Sequence, residues 1–211
     1  MHPAQIAIRT TIEDFFSYRL RPETAINRDG SLWSISCHGC STVSVNHDNF
    51  ISYALSILQQ RTCTFKQLHE KIIQHDIRLA QQQYICLAKL LDKLKKKGLL
   101  TLSLVGGDEE ILATLMPNQS LFKIPSIQWS QDHFSLSPTV YLRPIENGLL
   151  LQDVEQKYQF SIYSEDIMMI IFQLHKSITV VELEELSTCP VRPLVKPLFE
   201  LLFSSCLIRF S

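Results

Sequence analysis

Cys37-His38-Gly39-Cys40 is the densest group of potentially reactive side chains in the sequence, two thiols two residues apart with an imidazole between them. That spacing supplies half of a tetrahedral zinc site, or a dithiol for redox exchange. The other half of a zinc site has no counterpart, because Cys63, Cys86, Cys189 and Cys206 are scattered singly and no second CxxC or HxxxH follows. A glycine turn at a hairpin tip accounts for the same residues, and turn, metal ligand and redox pair all stay open at this level. His47, His69, His75, His133 and His175 are each isolated and read as structural or solvent-facing. Glu182, Glu184 and Glu185 form an acidic helix face whose ordinary explanation is solvation. The sequence has no Gly-rich phosphate loop, no GxSxG, no HExxH and no carboxylate pair in a matching context, so no catalysis is expected from this chain alone.

Lys93, Lys95, Lys96 and Lys97 resemble a nucleic-acid contact at first sight. They cluster before Gly98, where cations complement a helix C-terminus and Gly supplies a left-handed cap. Recognition helices present base-reading groups near their N-terminal end, and here that end is Leu79-Ala80-Gln81-Gln82-Gln83-Tyr84, with little basic support. Lys and Arg number 20 against 21 Asp and Glu, for a net charge of −1, which also argues against a non-specific nucleic-acid binder. From Leu79 to Lys96 the apolar residues fall on two adjacent stripes, Leu87, Leu90 and Leu94 on one, and Tyr84, Ala88 and Leu91 on the next with Lys95 at its end. A helix packed on one side needs only one such stripe. Either both are core, or the second stripe and the strand Thr42, Val43, Ser44 and Val45 bound a groove that takes a peptide as an added strand.

The elements that would position these residues occur twice. Leu20-Arg21-Pro22 and Leu142-Arg143-Pro144 each precede a Gly-led strand, opening at Gly30 and Gly148, and then an alternating strand, Ser41 to Val45 and Tyr158 to Ile162. Amphipathic segments follow at Ile51 to Leu58 and Ile167 to Leu174. Next come Thr-initiated helices, with Thr64 and Gln67 and then Thr179 and Glu182 in capping-box register. Leu99 to Ser103 and Leu207 to Ser211 close the copies. The expected organisation is α+β: two tandem winged helix-turn-helix units, each with a small antiparallel sheet, at 1–104 and 135–211, joined by a connector at 105–134. The connector's turn-forming residues are Gly106-Gly107, Asp108-Glu109-Glu110, Pro117-Asn118 and Pro125, while Leu115, Phe122, Ile127 and Trp129 should pack it down. Pro190, Pro193 and Pro197 force the third helix of copy two to start late. The basic, Pro-free third helix favours copy one as the peptide site. Met168, Met169, Phe172, Phe199 and Phe203 make copy two a candidate for burying surface.

Apolar residues make up 45% of the chain and charged ones 19%, as in ordinary globular proteins able to bury a core. No apolar run approaches the roughly 20 residues of a membrane span, so no membrane association is expected. The start Met1-His2-Pro3-Ala4-Gln5 lacks the pattern of a secretory signal, so the six cysteines are read as reduced thiols of a cytoplasmic protein.

The run Phe134-Ser135-Leu136-Ser137-Pro138 through Leu142-Arg143-Pro144 to Gly148-Leu149-Leu150-Leu151 resembles the stretch opening the second winged-helix unit in the N-terminal region of SagB-type thiazoline/oxazoline dehydrogenases. The stretch from Tyr18-Arg19-Leu20-Arg21-Pro22 to Lys97-Gly98-Leu99-Leu100 is similar to the first unit. The resemblance implies a role in maturing ribosomally made, modified peptides, with a leader peptide adding a strand beside the third helix. In that family a flavin-binding nitroreductase-like domain follows. The sequence reaches Ser211 without one, so FMN is expected in a partner and not in this chain, which is then a separate subunit or the N-terminal piece of a longer protein. The expected partners are a precursor (leader) peptide, a modifying enzyme such as a flavin-dependent dehydrogenase, and a possible second copy. A winged-helix transcription regulator is the alternative, and a purely structural dimerisation module a third.

Overall fold

The computed structural model describes residues 15–46, 48–75, 80–121 and 128–211, without the side chains of 75 and 80–82. His47, Leu79, Phe122, Pro125 and Ile127 lie outside the described residues, as do the side chains of His75, Gln81 and Gln82. The chain is mixed α+β, with six α-helices and antiparallel sheets among the described residues. The first half runs β1 (Phe16–Leu20), β2 (Ala25–Asp29), β3 (Leu32–Ser36), β4 (Val43–Asn46), α1 (Asn49–Gln60), β5 (Cys63–Thr64), α2 (Phe65–His75), α3 (Ala80–Lys96) and β6 (Leu100–Val105). After β7 (Ile111–Pro117) the same order returns: β8 (His133–Leu136), β9 (Val140–Ile145), β10 (Gly148–Asp153), β11 (Tyr158–Ile162), α4 (Glu165–Gln173), β12 (Ile178–Thr179), α5 (Val180–Leu186), a 3-10 turn (Arg192–Leu194), α6 (Val195–Ser204) and β13 (Ile208–Phe210).

Strand pairing repeats with the order. β1 lies between β5 and β6, and β8 between β12 and β13. Leu20 faces Leu100 as Leu136 faces Ile208, and the Arg21 N–H bonds Leu99 O as the Ser137 N–H bonds Leu207 O. These pairs set the two copies 116 positions apart at their first strand. The hairpins agree, since Asp29 and Leu32 flank one two-residue turn and Ile145 and Gly148 flank the other. The counterpart of Leu20-Arg21-Pro22 is therefore Leu136-Ser137-Pro138. Leu142-Arg143-Pro144, expected to be its partner, lies inside β9, and Gly30 answers to Glu146, not to Gly148. Element order and strand pairing repeat, but in a register that does not match the two Leu-Arg-Pro motifs to each other.

Local chemistry explains the helix ends. Asp48 accepts from the Phe50 N–H to start α1, and Thr64 with Gln67 and Thr179 with Glu182 form the expected reciprocal caps on α2 and α5. At the end of α3, Leu99 N–H reaches Leu94 O and Gly98 N–H reaches Lys95 O, each at 3.0 Å, with Gly98 at φ +69°. This double closure requires a left-handed residue. α6 ends identically, with Cys206 at φ +54° where α3 has Gly98. Pro193 sits in the 3-10 turn and Pro197 in the first turn of α6, leaving 10 residues of helix against 17 in α3.

The span 105–134 is not a break between two small sheets. Gly106 to Glu110 is the turn of the β6–β7 hairpin, closed by Gly106 N–H on Glu110 O. β7 pairs β6 on one side and β11 on the other, so the order β5-β1-β6-β7-β11-β10-β9 makes one seven-stranded sheet across both halves. Leu115 is fully buried there and Trp129 packs on the core. β2-β3-β4 and β12-β8-β13 form two further three-stranded sheets. Among the described residues no helix is long and apolar enough to cross a membrane.

Candidate functional site

β4 ends its sheet, and among the described residues no strand pairs with its outer edge. The two-residue turn between β2 and β3 fixes which backbone groups face that edge. Hydrogen-bonded pairs alternate from the turn outward. Leu32, Ser34 and Ser36 thus bond β2, Trp33 and Ile35 bond Val45 and Val43 of β4, and the N–H and C=O of Ser44 point away from the sheet. Val43 is buried and Val45 half-buried against the core, while Thr42, just before the strand, and Ser44 are exposed. Trp33 Nε1 donates to Ser52 Oγ at 3.0 Å and ties this sheet to α1.

α3 approaches the same edge. Lys93 Nζ donates to the Ser44 carbonyl at 2.6 Å, so a helix cation holds the acceptor that an added strand would use. At 100° per residue, Cys86, Lys89 and Lys97 share this face of α3 with Lys93. All but the half-buried Lys97 are exposed.

The four α3 residues expected to line the groove lie elsewhere. Ala88, Leu91 and Lys95 line a small recess of ≈ 60 Å³ with Tyr18, Phe65 and Asp92. Tyr84 packs edge-on against Phe65 and His69 of α2, at ring separations of 4.7 and 5.2 Å. Lys95 Nζ stands 5.5 Å from the centre of the Phe16 ring, and its charge acts on Glu200 of α6, whose carboxyl burial pushes up and Lys95 pulls back. Tyr84, Ala88, Leu91 and Lys95 therefore face β1, α2 and the second half, about 180° from Lys93. Thr42, Val43, Ser44 and Val45 are together at the edge, but the two sets do not bound one groove. The core stripe of Leu87, Leu90 and Leu94 has a flank on each side, and periodicity alone does not say which flank meets β4.

The second half contains the matching strand in a different state. Ile35 faces Val43 as Leu151 faces Phe160, so Ser161 in β11 answers to Ser44. Its outer edge is occupied by β7, with Thr114 opposite Ser161. Among the described residues one edge is unpaired and flanked by a lysine helix, while its counterpart is filled by β7.

The Cys37–Cys40 segment is the turn leading into β4. Cys40 N–H bonds Cys37 O at 3.1 Å, and Gly39 has φ +78° with Asn118 O where a Cβ would go. Cys40 Sγ donates to Gly98 O at 3.4 Å and accepts from Arg21 Nη1 at 3.2 Å. Burial pushes both thiols above their ordinary value, with the Arg21 charge opposing it. All six cysteines are free, and among the described residues no group of three His, Cys, Asp or Glu side chains could hold a metal. Arg21, only 5% exposed, also donates to Pro117 O, Asn118 Oδ1 and Glu23, fastening the end of β1 to the exit of β7.

Of the residues expected to cover surface in copy two, Phe199 is fully buried, Phe203 packs on Phe134 and Phe210, and Met168 packs on the core. Met169 and Phe172 are exposed. No family model matches the chain, and no curated protein matches it.

Proposed function

We propose that the chain is a non-catalytic recognition protein of two tandem winged-helix units. The first captures a precursor peptide as an added strand on β4 and presents it to a modifying enzyme, such as an FMN-dependent azoline dehydrogenase. The observation that supports this reading is the contrast between the two matching edges: β11 is completed by β7, while among the described residues no strand completes β4 beside α3. Backbone pairing gives such a site its affinity and neighbouring side chains its selectivity. Lys93 would exchange the Ser44 carbonyl for a peptide N–H and turn its ammonium toward an acidic side chain, with Lys89 and Lys97 on the same face. An acidic leader peptide fits that wall.

The test is fluorescence anisotropy with a labelled acidic, unstructured peptide serving as the leader. The expected dissociation constant is on the order of 1–10 µM. Ser44→Pro, which removes the outward backbone donor, should weaken binding at least about tenfold, and Lys93→Glu should weaken an acidic leader selectively. Unchanged binding by a folded Ser44→Pro protein overturns the proposal.

A second reading, duplex DNA binding, draws on the exposed Lys89, Lys93 and Lys96 of α3. A gel shift at two ionic strengths separates the readings, because phosphate contacts lose affinity steeply with salt.

A further inference from the structure

The first two helices of each half correspond position for position, α1 to α4 from their N-caps at Asp48 and Ser164, and α2 to α5 from their caps at Thr64 and Thr179. Their outer faces differ in chemistry. Where the first half carries Tyr53, Ser56 and Lys71, all half-buried and Tyr53 packed on the core, the second carries Met169, Phe172 and Leu186, exposed by 59%, 47% and 68%. The corresponding positions are thus more exposed in the second half than in the first, although the side chains they carry there are apolar.

Between α4 and α5, Met169 and Leu186 border a cleft of ≈ 240 Å³, lined also by Asp166, Ile170, Gln173 and Leu183 among others. The two helices carry five acidic residues and no Lys or Arg. Glu182 is used in the α5 cap and Glu184 pairs with Lys196 at 3.4 Å. Glu165, Asp166 and Glu185 enter none of the ion pairs among the described residues and flank the apolar patch.

We infer that the α4–α5 face docks an amphipathic helix of a partner protein whose apolar stripe is bordered by Lys and Arg. Apolar side chains of that helix enter the cleft between Met169 and Leu186, where the unbranched thioether adapts to their shape. Its flanking cations meet Glu165, Asp166 and Glu185, which fix orientation and exclude acidic competitors. The site is separate from β4 and does not depend on what binds there.

The test uses the full chain and two labelled helical peptides of about 18 residues, five turns, one built of Leu and Lys and one of Leu and Glu with the same apolar stripe. The Leu/Lys peptide should bind roughly tenfold or more tighter than the Leu/Glu peptide. The triple variant Met169→Tyr, Phe172→Ser, Leu186→Lys, which installs the first half's residues, should lose about tenfold. Asp166→Lys with Glu185→Lys, both surface changes, should lose a similar factor and serves if the triple variant does not fold. Ser44→Pro should leave binding unchanged. Equal binding of the two peptides, or full affinity in the folded variants, overturns the inference. So does a solution mass of two chains that the triple variant returns to one, since the occupant would then be a second copy.

Discussion

At the scale of single residues, the two copies supply their own controls. Gly98 and Cys206 close equivalent helix ends in the left-handed region, which costs a non-glycine residue roughly 1–2 kcal/mol. Cys206→Gly should therefore raise stability by about 0.5 kcal/mol, the relief of that strain less the entropy of an added glycine. Gly98→Ala should lower it by about 2 kcal/mol or more, because its Cβ would fall 2.2 Å from Gln119 O. Urea denaturation of both variants checks the pair. Burial opposes the charge on Glu23, but its own backbone N–H and the Arg21 guanidinium outweigh it and hold the carboxyl below its ordinary value of 4.5. A depressed folded value means that the contribution is complete above the unfolded value and drains away as pH falls through the folded one. Below about pH 4.5 the thermal midpoint of Glu23→Gln should thus fall less steeply than that of the parent chain. The caps at Thr64 and Thr179 were legible in the sequence because a Thr followed three residues later by Gln or Glu is a local signal. The role of Arg21 as a clamp was legible only in part, since its partners Pro117 and Asn118 lie far along the chain.

At the scale of elements, β4 and β11 test whether an edge is free. Ser44→Pro breaks no ladder bond and should cost less than about 1 kcal/mol, whereas Ser161→Pro removes a bond to β7 and should cost about 3 kcal/mol or more. Equal costs would mean that the β4 edge is not open. The alternation of Thr42 to Val45 revealed a strand, and the two stripes of α3 revealed a helix with more apolar surface than one contact needs. The side of α3 that meets β4 stayed hidden, because it depends on the rotation of a helix about its axis. That rotation is set by the packing of Leu87, Leu90 and Leu94 against distant strands. Gly106 to Glu110 looked like a linker for a related reason: turn residues are the same whether they end a unit or join a hairpin.

At the scale of the molecule, the seven-stranded sheet makes the two halves one structure. Its centre, β6-β7-β11, joins strands of both copies, and Arg21, Cys40 and Gly98 gather at the exit of β7. Of the two tryptophans, Trp33 lies in the first half and Trp129 packs against Phe134 of the second, so Trp33→Phe and Trp129→Phe leave one reporter apiece. Their fluorescence transitions in urea should coincide, and separated midpoints would show halves that unfold independently. The recurrence of the elements was visible in the sequence, yet its phase was not: strand pairing, not the repeated Leu-Arg-Pro, fixes which residues correspond. That phase identifies Ser161 as the internal reference for Ser44. The most direct measurement is therefore residue-resolved amide exchange on the full chain, with and without the acidic leader peptide. Strand addition predicts that the Ser44 N–H slows by about tenfold or more while the Ser161 N–H, already paired with β7, keeps its rate. A Ser44 amide that exchanges equally fast with saturating peptide would contradict the account.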